Sequence, residues 1–144
     1  SGLVGSEMCI RDRSIGLGLK LREESVMTEH EHSHGKGVQA ELAPIARDLR
    51  AAIPEVMQAF GNLHSVAMGP GALDPKTKEL IALAIAVNNR CDGCIASHAR
   101  GAAKHNATEQ EVAEAIGVAV LMTGGPATVY GPRAFAAFKE FAAG

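Results

Sequence analysis

At 144 residues and 15.0 kDa, with a formal net charge of −2 and a pI near 6.3, the chain is one domain's worth of material. That balance gives no electrostatic reason to bind nucleic acid or an anionic membrane surface. The longest apolar runs, Ile81–Val87 and Ala115–Met122, are too short to span a bilayer, and three cysteines do not make a disulfide framework.

Residues 1–26 scatter glycine and charge with no sustained period, and Ser6–Arg13 reads as translated adapter or upstream sequence, so Met27 is the expected native start. Four basic residues (Arg11, Arg13, Lys20, Arg22) offset four acidic ones (Glu7, Asp12, Glu23, Glu24) in that leader, which also holds Cys9. Residues 27–37 are polar and carry His30, His32 and His34, a composition that reads as a solvated, disordered terminus. Residues 1–37 are therefore expected as an extension and 38–144 as the domain. The expected compartment is the cytoplasm, where a CxxC pair serves catalysis or metal binding more often than structure.

From Glu41 the pattern turns helical: Leu42, Ile45, Ala46 and Leu49 recur at helical spacing, and Ala52 and Ile53 close the run. Pro54 suits the first turn of a second helix bearing Val56, Met57, Phe60 and Leu63, which fades near Met68. Asp74-Pro75 is an N-cap followed by proline at the first helical position, and predicts a third helix as far as Asn88-Asn89, where a left-handed cap is expected. A fourth helix starts around Cys91 and runs to Lys104. Thr108 with Glu111 makes a capping box for a fifth, ending near Thr123. Gly124-Gly125-Pro126 breaks it, and a last helix carries Val129, Phe135, Phe138 and Phe141, with a kink expected at Gly131-Pro132. No segment alternates with β-branched enrichment, so the fold class is all-α. Ala115–Met122 is apolar on every face and calls for cover all round, for which a partner subunit is expected.

The chemistry concentrates at Cys91-Asp92-Gly93-Cys94. Spacing of i,i+3 at a helix start puts both sulfurs on one face, within reach of a disulfide, and the helix N-terminus favours a thiolate. His98 follows Cys94 by one turn and can exchange a proton with it. Glu79 has Ala82, Leu83 and Ala86 at its helical-spacing positions. A carboxylate on such a stripe either sits at the helix edge and reaches water or, if buried, needs a partner, and His98 is the candidate partner if the two helices pack antiparallel across Asn88–Arg90. The same four residues are acceptable zinc ligands, but structural zinc sites show two ligand pairs and the second is missing. A thioredoxin fold lacks its βαβ context. His64, His105 and Tyr130 read as surface or packing residues, Met57, Met68 and Met122 as core filler, and the three phenylalanines as core or interface.

Glu79, eleven residues, Cys91, two residues, Cys94, three residues, His98 resembles the signature of the alkylhydroperoxidase AhpD-like proteins of the carboxymuconolactone decarboxylase superfamily. The resemblance spans roughly residues 73–141 and takes in LDPKTKELIALAIAV and GGPATVYGPRAF. It implies a compact all-helical domain assembling as homotrimers or homohexamers, and peroxidase activity on small alkyl hydroperoxides without cofactor or metal. It also implies re-reduction by an external dithiol on a thioredoxin-like or lipoyl-bearing protein. By position, Cys94 is then the attacking thiolate, Cys91 the resolving thiol, His98 the proton-transfer group and Glu79 its orienting or relaying partner. Dipole reasoning alone favours Cys91 as the more acidic thiol. Well-known members carry a histidine between the cysteines, where this chain has Asp92 and Gly93, and an acidic Asp92 opposes thiolate formation. Two alternatives stay open: a lactone decarboxylase using acid–base chemistry, and a non-catalytic dithiol sensor or zinc-stabilised oligomer.

Overall fold

The structure, a computed structural model, describes residues 33–144; the expectations for the leader, Met27, His30 and His32 lie outside the described residues. Six helices follow in chain order: α1 (Lys36–Ala52), α2 (Pro54–Met68), α3 (Pro75–Asn88), α4 (Asp92–Lys104), α5 (Glu109–Thr123) and α6 (Gly125–Ala142). No strand occurs among the described residues, and none of their helices is long and apolar enough to cross a membrane. The chain is all-α, as the periodicity predicts.

Local chemistry sets the boundaries. Thr77 N–H donates to Asp74 Oδ1 at 2.7 Å and opens α3. Both halves of the Thr108–Glu111 capping box form, at 3.1 and 2.8 Å. Lys76 Nζ donates to Glu111 Oε1 at 2.6 Å, tying the start of α3 to the start of α5. That contact, followed by the Thr108 N–H, holds the Glu111 carboxyl below the usual carboxylate range.

The turns after α3 and α4 are built alike. Arg90 N–H bonds Val87 O and Cys91 N–H bonds Ala86 O; Asn106 and Ala107 repeat the pattern on Ala103 and Ala102. Each is a Schellman closure, which needs one left-handed residue. Asn106 supplies it at φ 58°. After α3 the left-handed residue is Arg90 (φ 54°), whereas Asn89 stays right-handed at φ −78°. The tight closure delivers Cys91 straight from the end of one helix to the cap of the next.

Helices α3 to α6 enclose the core, built on Leu83, Val87, Ile95, Val112 and Phe138. Ala99, Ala102, Ala127, Ala134 and Ala137 are fully buried around them. Small residues at these positions let helix axes approach closely, and Gly131 adds to this: a Cβ there would meet Ile116 Cγ2 at 2.7 Å. α6 continues through Gly131-Pro132, where a kink is expected. Gly124, at φ 65°, makes the expected turn between α5 and α6.

α1 lies on α4 and α6, and α2 packs more lightly, against α1 and α3. Neither contains a buried residue. Their apolar stripes, including Leu49, Val56, Phe60 and Leu63, are exposed. Met122, expected as core filler, is exposed as well, because α5 turns Val112, Ile116 and Ala119 inward instead. Met57 and Met68 are half-buried.

α1 starts at Lys36, five residues before the apolar pattern begins. Glu140 explains the difference. It accepts from the Ser33 hydroxyl (2.6 Å) and from the backbone N–H groups of His34, Gly35 and Lys36. Burial works to raise the Glu140 pKa, but the Ser33 hydroxyl and those three N–H groups outweigh it and hold the carboxyl below its ordinary value. Residues 33–37 are thus tied to the last helix.

Candidate active site

Glu79 sits on the inward face of α3 with Leu83, Ala86 and Val87, and is the one buried charged side chain among the described residues, 7 % exposed. Such a carboxylate must be compensated. His98 Nδ1 lies 2.8 Å from Glu79 Oε2, across the α3–α4 interface. With Nδ1–H donating to the carboxylate, the tautomer is set and Nε2 is left with its lone pair. Room for the carboxyl comes from Gly101, one turn after the histidine's neighbour Ser97, because a Cβ there would overlap the Glu79 carboxyl group.

Cys91 caps α4, its Sγ accepting the Cys94 N–H at 3.3 Å. The two sulfurs are joined as a disulfide, with Cα atoms 5.3 Å apart. Cys91 is half-buried and Cys94 exposed. Cys94 and His98 open together onto a cavity of about 200 Å³ floored by Ala82, Ile85 and Ala86, with Asn89 at its side. The site therefore offers a disulfide-bonded sulfur pair, an imidazole and an apolar recess in one place. All four residues singled out from spacing meet here.

Three further contributors carry no local signal in the sequence. His64, from α2, stacks on His98 with ring centroids 6.2 Å apart and planes at 22°. Arg133, from α6, brings Nη1 to 3.7 Å from Asp92 Oδ2 while lying 4.7 Å over the Tyr130 ring. The acidic residue between the thiols thus has a counter-charge, although its Oδ1 is buried without a hydrogen-bond partner. Gly101 is the third. His105 is half-buried beyond the end of α4. Among the described residues, no group of three or more His, Cys, Asp or Glu side chains is arranged to hold a metal ion.

An all-helical bundle with a CxxC capping one helix and a buried Glu–His pair bridging to its neighbour defines a class of small helical proteins with a dithiol site. The chain belongs to the carboxymuconolactone decarboxylase family, whose model matches residues 54–140. It is similar to the crystal structure of an apo carboxymuconolactone decarboxylase family protein from Legionella pneumophila. The two are 42 % identical with a TM-score of 0.71, over 74 % of this chain and 95 % of that one. A structure from Thermotoga maritima is 32 % identical with a TM-score of 0.58, over 65 % and 88 % of the two chains. An uncharacterised protein of Cupriavidus necator is 39 % identical over 90 residues, which is 62 % of this chain and 80 % of that protein. Another, encoded in the cox locus of Paracoccus denitrificans, is 42 % identical over 82 residues, 57 % and 74 % of the two chains.

Proposed function

We propose that the protein is a cytoplasmic, cofactor-independent dithiol peroxidase that reduces small alkyl hydroperoxides. The observation that carries this reading is the 2.8 Å Glu79–His98 pair beside the cavity that Cys94 shares with His98. In the reduced protein His98 Nε2 takes the Cys94 thiol proton, and the resulting thiolate attacks the terminal oxygen of ROOH. The O–O bond breaks, Cys94 becomes a sulfenic acid, and the departing alkoxide takes a proton from His98 to leave as ROH. The Cys91 thiol then attacks the sulfenic sulfur, the S–S bond forms, and the hydroxyl leaves as water with the Cys91 proton. An external dithiol, on a thioredoxin-like or lipoyl-bearing protein, takes up the disulfide by exchange and closes the cycle. Glu79 keeps the imidazole oriented and stabilises it while it carries the extra proton.

The test is a single turnover. Reduced protein mixed with one equivalent of cumene hydroperoxide is expected to yield cumyl alcohol and a peptide-mapped Cys91–Cys94 disulfide. Recovery of both thiols in alkylated form, with the hydroperoxide intact, would rule the mechanism out.

Self-association belongs to the same proposal, as a homotrimer or homohexamer. Val118, Leu121 and Met122 on α5 are 58 %, 81 % and 71 % exposed, and the stripe of α1 and α2 is exposed as well. Contiguous apolar surface of that kind marks an interaction face. Light scattering at micromolar concentration is expected to give three or six times the chain mass, and Leu121→Glu to shift it toward the monomer. A wild-type monomer would count against the assembly.

A further inference from the structure

A second cavity, of about 450 Å³, lies on the other side of the Glu79–His98 pair, between α2, the start of α3 and the outer half of α4. Its polar lining is His64 and Ser65 from α2, Ser97, Arg100 and Lys104 from α4, and His105 just beyond it. Its single carboxylate is Glu79, already engaged by His98. The cavity therefore carries an excess of positive charge and hydroxyl donors.

That excess is unexplained by the fold. Arg100 and Lys104 stand at i,i+4, a spacing at which like charges repel. The C-terminus of α4 accounts for Lys104, but Arg100 has only a 3.4 Å contact with the neutral Gln39 Oε1. The ion pairs among the described residues are Lys76–Glu111, His98–Glu79, Arg133–Asp92 and Lys139–Glu109, none of which uses Arg100 or Lys104. Both side chains are exposed and so accessible to an anion.

We propose that this cavity is a subsite for the anionic headgroup of a long-chain hydroperoxide whose reactive end sits against Cys94; the proposal rests on the dithiol peroxidase reading. His64 lines the basic cavity and stacks on His98, which lines the other. Arg100 and Lys104 follow Cys94 by one and a half to nearly three turns, which is roughly 9 to 15 Å along the helix axis. An extended chain covers that span in roughly eight to twelve bonds. Met68, Pro70 and Pro75 give part of the wall an apolar surface suited to methylenes. A concave cavity of this size fits a small amphiphile better than the convex acidic face of a partner protein.

The experiment has two arms. In the first, binding of decanoate, decyl phosphate and decanol to the oxidised protein is followed through the His64 and His105 imidazole resonances. An anion is expected to bind at least about tenfold more tightly than decanol, the worth of one charge-assisted hydrogen bond. The tighter of the two anions identifies carboxylate or phosphate as the headgroup. In the second, kcat/KM is compared for 9-hydroperoxylinoleate and its methyl ester. A preference of about tenfold for the acid is expected, falling to parity in Arg100→Gln/Lys104→Gln. Equal binding of decanoate, decyl phosphate and decanol overturns the subsite. So does acid–ester parity in the wild type, including the case where the double variant slows only reduction by a protein dithiol, which would make the basic face a docking site for the reductant. If neither hydroperoxide is turned over, the peroxidase reading falls, and the binding arm still decides the subsite.

Discussion

Cys94→Ser is expected to abolish hydroperoxide reduction, lowering turnover by at least about a thousandfold, as loss of a covalent nucleophile does. Cys91→Ser is expected to behave differently. It should consume one equivalent of hydroperoxide per chain and stop as a sulfenic acid that dimedone traps on Cys94. The asymmetry follows from exposure and neighbours. Cys94 is exposed and opens with His98 onto the apolar recess, whereas Cys91 is half-buried at the helix cap with its sulfur accepting a backbone N–H. Proximity to the helix N-terminus argues the other way, because it lowers the pKa of the capping thiol most. The contest is between a sulfur that ionises easily and one that stands beside the proton donor. Dimedone labelling of the two single variants resolves it: adduct on Cys91 in Cys94→Ser, with none on Cys94 in Cys91→Ser, would reverse the order of attack.

Gly101→Ala is expected to destabilise the fold by about 2–3 kcal/mol, at the upper end of what overpacking costs. Helix propensity alone predicts the reverse, since Ala is favoured over Gly by about 1 kcal/mol in a helix interior. The added methyl would lie on the Glu79 carboxyl, so either Glu79 leaves His98 or α3 and α4 separate. Both outcomes uncouple a buried carboxylate from its partner. Activity should fall with stability and should not recover when the variant is assayed well below its melting temperature. Glu79→Gln separates the two effects. The smaller amide charge leaves the packing in place, so kcat should drop by roughly tenfold to a hundredfold, the range set by loss of a partner that orients an imidazole, with a modest change in stability. A Gly101→Ala protein more stable than wild type in urea would mean that the carboxylate does not lie against α4.

Much of this was legible in residue order alone. Asp74-Pro75 and Thr108 with Glu111 announce two helix starts because their capping chemistry is local, and both caps form. Glu79 betrays its position because a carboxylate on an apolar stripe has few affordable environments, and His98 was the nearest partner. What sequence could not show is what arrives from distant segments. His64 reaches His98 only because the α2 arm folds back over α4, and Arg133 reaches Asp92 from the last helix. The amphipathic stripes of α1 and α2 predicted helices correctly but not their surroundings, since periodicity reports that a face wants cover and not which molecule supplies it. Arg90 in the left-handed region was hidden for another reason. The neighbouring Asn88 and Asn89 are better suited to that conformation, yet the closure that positions Cys91 requires it one residue later.

The Glu140 clamp has a consequence for biosynthesis. Its partners, Ser33 through Lys36, lie 104 to 107 positions earlier in the chain. A nascent polypeptide leaving the ribosome would expose the α1 stripe at least until Glu140 is made, because the acceptor that anchors its start lies more than a hundred residues further along the chain. Contacts of such long sequence separation form late. Among the described helices α1 is then made first and settles last, and a chain stalled or truncated before Glu140 would present an undocked apolar arm to chaperones and proteases.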